Sequence, residues 1–154
     1  MYIPGQGDPG LVEGAGRVLT PDDVRVARDA GARFCSALGS TGRLLRCFVG
    51  IAMPFLPAAA TVSEVMRRME RGYRTQKFYP AGAAGGLEIL SALSGSRPHL
   101  RLCAAGGINS DNTNIFIALP KVLNVIGNWL LPPAAPARGD WTSITGTARK
   151  ITRR

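Results

Sequence analysis

The sequence predicts an α/β protein in which a parallel sheet carries helices on its outside. Apolar, β-favouring segments begin near Val12, Arg33, Met53, Thr75, Arg101 and Val122, so consecutive starts lie 21, 20, 22, 26 and 21 residues apart. Each interval is long enough for one strand, one helix and two short connections. Helix start and stop signals stand between these segments, and glycines gather directly after the late strands. The chain has 154 residues, of which 45% are hydrophobic, enough for a single core.

Residues 1–11 read as a flexible start and residues 12–154 as one domain. Gly5-Gln-Gly7-Asp-Pro-Gly10 has the letters of a dinucleotide-binding loop, but no strand precedes it and Pro9 interrupts the helix that should follow. The first helix is announced by Thr20-Pro21, a cap followed by proline at the first helical position, and Gly31 ends it. Thr61-Val-Ser-Glu64 is a capping box, and Gly72 closes that helix. A further helix is expected over Gly85–Leu93, another from Asn109-Ser-Asp111, and a last one over Trp141–Ile151. A doubly wound sheet and a barrel both fit this rhythm. The barrel is favoured because it binds phosphate with the loops after its late strands, where these glycines lie.

The net charge is +9, and the isoelectric point near 10.5 suggests affinity for anions. Arg67, Arg68, Arg71 and Arg74 are expected on the solvated outer face of a helix. Arg149-Lys150-Ile-Thr-Arg153-Arg154 reads as a frayed tail. Neither cluster is interleaved with aromatics, which argues against a nucleic-acid partner. No apolar run approaches the ~18 residues of a membrane span, and the start lacks the features of a secretory signal, so a cytoplasmic location is expected. Cys35, Cys47 and Cys103 have no metal-ligand spacing and are expected as reduced, buried thiols. His99, beside Pro98, is expected on a surface loop. No metal and no cofactor is expected.

Chemistry concentrates in three places. In Thr75-Gln-Lys-Phe-Tyr79, period-two alternation puts Thr75, Lys77 and Tyr79 on one face. If that face is the barrel interior, burial disfavours the ammonium and makes the Lys77 amine a nucleophile; the alternative is a lysine snorkelling to a loop. Ala105-Gly106-Gly107-Ile108-Asn109 joins a strand to a helix start, so its backbone amides can approach an anion. Ile126-Gly127-Asn128-Trp129 is a second such turn at the same end of the sheet, with Trp129 expected to pack in the core.

Several stretches resemble the 2-keto-3-deoxy-6-phosphogluconate and 2-keto-4-hydroxyglutarate aldolases: Gly14-Ala-Gly16, Met53-Pro-Phe-Leu-Pro57, Ala60-Thr-Val-Ser-Glu-Val-Met66, Lys77-Phe-Tyr-Pro-Ala81, Ala84-Gly-Gly86, Gly106-Gly-Ile108, Asn128-Trp-Leu130 and Gly139-Asp-Trp141. The resemblance implies a (β/α)8 barrel of the TIM type in which six units are present and the first two are missing. Strands near Val12 and Val122 would then be unpaired on one side. It implies a metal-independent class I aldolase that cleaves a phosphorylated keto-acid to pyruvate and glyceraldehyde 3-phosphate, usually as a homotrimer. Lys77 would form the Schiff base, and Arg17, Pro57, Phe78, Gly106, Gly107, Ile108, Gly127 and Asn128 would bind substrate. Departures fall at the site: Arg17 and Ala105 replace threonines, Ile126 a glycine, Gly82 a glutamate and Leu38 a proline. The family's acid/base glutamate and its neighbouring arginine have no counterpart. The other reading is an inactive barrel fragment that oligomerises or binds phosphorylated metabolites.

Overall fold

A computed structural model describes residues 12–96, 98–132 and 134–152; the expected flexible start lies outside them. Strands β1 (Gly14–Ala15), β2 (Phe34–Ser36) and β3 (Phe55–Leu56) pair in that order, and β4 (Ala58–Ala59), β5 (Thr75–Phe78), β6 (Arg101–Ala105) and β7 (Val122–Ile126) form a second ladder. Every pairing is parallel. Neighbours in space are neighbours in sequence, which is a barrel's progression and has none of the reversal of a doubly wound sheet. Among the described residues β1 and β7 are each paired on one side only.

Between the strands run α1 (Pro21–Asp29), α2 (Gly42–Cys47), α3 (Val62–Glu70), α4 (Gly86–Ser96) and α5 (Thr113–Ile117), and α6 (Ala134–Ala137) and α7 (Trp141–Thr152) follow β7. Thr20 and Thr61 both close full capping boxes, with Asp23 and Glu64. The chain leaves α1 and α3 through Gly31 and Gly72, both in the left-handed region. Helix α2 fills the Arg33–Met53 interval, where the strand–helix rhythm alone expects a helix. Helix α5 begins at Thr113, later than expected, because the Asn109 side chain accepts the amides of Asp111 and Asn112 and holds a turn. No helix among the described residues is long and apolar enough to cross a membrane.

β3 and β4 are one extended run divided at Pro57, and the division is bridged by Arg68. This arginine is only 4% exposed, so it does not belong to a solvated basic face. Its Nε donates to Ala58 O at 2.8 Å, Nη2 to Ser40 O at 2.8 Å and Nη1 to Glu64 O at 2.9 Å. The Ala58 amide, which has no partner in β2, donates instead to Ser40 Oγ at 2.8 Å. A guanidinium has enough donors to satisfy all three carbonyls while its stem packs against apolar neighbours. One apolar cluster lies under β4–β7 and includes Val65, Phe78, Leu90, Leu102 and Phe116. A smaller one, with Val24, Cys35, Leu44 and Phe48, lies under β1–β3.

Candidate active site

β5 divides its side chains strictly by face. Gln76 and Phe78 turn outward to the helices: Gln76 Nε2 donates to the carbonyls of Val65 and Tyr73, and Phe78 is fully buried in the larger cluster. Lys77 turns the other way, in register with Cys103 of β6. It is 5% exposed, and its Nζ donates to Ser36 Oγ of β2 at 3.2 Å. Burial holds the Lys77 ammonium below its ordinary range; the nearby Arg17 charge pushes the same way, and the Cys103 sulfur opposes it. Burial also pushes the Cys103 thiol up. Snorkelling to a loop is therefore not what this lysine does.

The Lys77 amine sits at a cleft of about 800 Å³ formed by the carboxyl ends of the strands. Arg17 comes from the end of β1, Ser36 from β2, Tyr79 from the end of β5, and the turns Ala105–Asn109 and Ile126–Trp129 from β6 and β7. Arg17 is the one described non-glycine residue at positive φ, 62°. Such a conformation costs about 1–3 kcal/mol and tends to persist where a site needs it. Among the described residues the lining holds two cationic side chains, Arg17 and Lys77, and no carboxylate or histidine, so it suits an anion.

Both glycine turns present backbone. Gly106 and Gly107 adopt φ of 88° and 77°, and a Cβ at Gly106 would come within 3.0 Å of Pro80 and the Tyr79 ring. Glycine is thus required there by conformation and by space. The amides of Gly107, Ile108 and Asn128 carry no hydrogen bond to a described residue, which leaves them for a ligand. Trp129 packs against the larger cluster and lies over Gly127, leaving no room there for a side chain; its buried Nε1 has no acceptor among the described residues.

Of the residues expected to bind substrate, Arg17, Gly106, Gly107, Ile108, Gly127 and Asn128 all line the cleft with Lys77, and Pro57 and Phe78 do not. Pro57 is fully buried at the strand division, and alternation turns Phe78 away from the face that Lys77 occupies. Ser36 was not anticipated. Its position two residues after Phe34 in a short strand puts both side chains on the cleft side, and that alternation was the available signal.

A parallel, sequentially ordered α/β framework with a buried lysine amine and glycine turns at the carboxyl ends of its strands places the chain among barrel-type α/β proteins. The family model for KDPG and KHG aldolase matches residues 4–147, and the chain belongs to that family of lyases. It is 40% identical over 146 residues to the 2-dehydro-3-deoxy-phosphogluconate aldolase of Pseudomonas aeruginosa, covering 95% of this chain and 66% of that protein. Its structure is similar to KDPG aldolase from Legionella pneumophila, solved with pyruvate captured as a covalent carbinolamine: TM-score 0.87 and 40% identity, over 90% of this chain and 68% of that one. The 2-keto-3-deoxy-6-phosphogluconate aldolase of Zymomonas mobilis ZM4, solved with 3-phosphoglycerate, gives a TM-score of 0.88 at 32% identity, over 95% of this chain and 68% of that one. The chain therefore spans about two thirds of the length of the relatives it matches.

Proposed function

We propose that this chain performs class I aldol cleavage of 2-keto-3-deoxy-6-phosphogluconate to pyruvate and glyceraldehyde 3-phosphate, with Lys77 as the nucleophile. The observation that carries the reading is the buried Lys77 amine at the floor of an anion-suited cleft. The neutral amine attacks the keto carbon, water leaves, and the resulting iminium accepts the electron pair of the breaking carbon–carbon bond. Arg17 is suited to the carboxylate because a guanidinium can grip it at two points. The amides of Gly106, Gly107, Ile108, Gly127 and Asn128 are suited to the phosphate.

In the same reading, β1–β7 make up six units of an eight-unit barrel, and two further β/α units close the gap between β1 and β7. By the family resemblance, such units would supply the carboxylate that takes the departing hydroxyl proton, a contribution worth typically 10²–10⁴-fold. A homo-oligomer, trimeric as the family resemblance implies, and a cytoplasmic setting belong to this proposal. The second reading, a binding protein without turnover, is favoured by one observation: the described cleft lining holds no carboxylate.

Intact-mass spectrometry after pyruvate and borohydride tests the nucleophile. A single reduced pyruvyl adduct is expected on the parent chain and none on Lys77→Met. An adduct of equal yield on both would remove Lys77 from the mechanism. A coupled assay for glyceraldehyde 3-phosphate separates the two functions, because adduct without cleavage leaves the binding reading.

A further inference from the structure

We infer that the Ser36 hydroxyl is the proton relay of the Lys77 amine, carrying a proton from nitrogen to the substrate's keto oxygen as the carbon–nitrogen bond forms. This rests on the Schiff-base reading above. Ser36 Oγ is 3.2 Å from Lys77 Nζ. Ser36 is 8% exposed, Lys77 is 5% exposed, and both line the cleft where a keto-acid would sit. Among the described residues no carboxylate or histidine shares that lining. The Cys103 thiol beside Lys77 is held protonated by its own burial, so it is a poor proton acceptor. Two hydroxyls that can both accept and donate line the cleft, Ser36 and Tyr79, and it is Ser36 Oγ that is hydrogen-bonded to Lys77 Nζ.

The relay balances. The nitrogen lone pair forms the bond to the keto carbon, and the carbonyl π pair moves to oxygen. One N–H proton passes to Ser36 Oγ as the Ser36 proton passes to the new alkoxide, giving a neutral carbinolamine and an unchanged serine. In the second pass Ser36 gives its proton to the departing hydroxyl and is reprotonated by solvent, the nitrogen lone pair expels water, and the remaining N–H stays on the iminium. A hydroxyl on β2 can do this, although the β3–β4 run separates β2 from β5, because it starts within hydrogen-bond reach of the nitrogen.

The test is the rate of borohydride trapping with pyruvate in the parent chain, Ser36→Ala, Ser36→Thr and Lys77→Met, followed by intact mass. Ser36→Ala is expected to slow trapping by about 10²-fold at saturating pyruvate, with the half-saturating pyruvate concentration unchanged. Ser36→Thr is expected to recover most of the rate, since it returns the hydroxyl. An unchanged rate in Ser36→Ala overturns the relay, as does a Ser36→Thr rate no better than that of alanine. Should Ser36→Ala fail to fold, the parent decides: trapping that is no slower in deuterium oxide overturns the relay. Absence of any adduct on the parent overturns the Schiff-base reading itself. An adduct with an unaltered Ser36→Ala rate overturns the relay alone.

Discussion

The two halves of the sheet are built differently. Around β1–β3, strands are two or three residues long and each interface has two register pairs. β5, β6 and β7 share four pairs at each of their two interfaces, over a larger apolar cluster. Lys77 stands in the thicker half, where the flanking strand β6 and the packed Phe78 fix its backbone. Ser36 and Arg17, which hydrogen-bond or face it, come from the thinner half. A nucleophile needs a fixed origin, whereas groups that grip a ligand tolerate a looser mount.

The largest expected effect tests this contrast directly. Leu102 and Leu44 are both buried, one in each cluster. Leucine-to-alanine changes in cores cost about 2–5 kcal/mol, depending on how well the surroundings collapse. Leu102→Ala is expected at the upper end and Leu44→Ala at the lower, because the thinner half relaxes more easily. Denaturant melts of the two variants check this, and equal losses would remove the difference between the halves.

The seam comes next. Arg68→Met keeps the stem and removes the donors, leaving Ala58 O and Ser40 O without partners. An unsatisfied buried group costs about 1–3 kcal/mol. A matching fall in stability should be accompanied by faster amide exchange at Ala58 and along β3. A variant as stable as the parent would mean that the remaining ties, Ala58 N to Ser40 Oγ and Lys77 Nζ to Ser36 Oγ, suffice to join the two ladders.

How much of this was legible in the sequence follows the range of the interactions. The Thr20 and Thr61 caps and the Gly31 and Gly72 stops rest on neighbours within a few residues, and the six strand segments are announced by local apolar runs, so the sequence carries them. The strand starts near Val12 and Met53 fall two residues before Gly14 and Phe55, where pairing begins. Arg68 was misplaced because its partners lie 10 and 28 residues away, so helical spacing alone sends it to solvent. Ser36 and Lys77 are 41 residues apart, and no local pattern couples them. Phe78 entered the expected site through the family resemblance, against the alternation of its own strand.

Buried Lys77 should also leave a mark on stability. Its folded pKa is lowered from an ordinary value of 10.5 by burial, so the unfolded chain binds the proton more tightly than the folded one. The charge therefore opposes folding below the folded pKa, and this penalty is relieved as pH rises from there towards 10.5. Lys77→Met is expected to melt higher than the parent at neutral pH, by a margin that shrinks in alkali. A margin independent of pH would show that folding leaves the pKa of this amine unchanged.

The smallest effect asks whether the two halves unfold together. Thr20 Oγ1 accepts the Asp23 amide at 3.1 Å and Thr61 Oγ1 the Glu64 amide at 3.3 Å, and the paired carboxylates return bonds to Leu19 and Thr20 and to Ala60 and Thr61. The capping chemistry is the same, so each Thr→Ala change should remove about 1 kcal/mol. Arg68 and Ser40 tie the ladders across Pro57, so one cooperative transition is expected. Thr20→Ala and Thr61→Ala should then lower a single melting temperature by similar amounts. If the tie is too weak, Thr20→Ala will instead loosen only α1 and β1–β3 in native-state hydrogen exchange and leave protection of β5–β7 unchanged. Lys77 would in that case keep its mount while Ser36 and Arg17 moved away from it, and pyruvate trapping would fall without any loss of global stability.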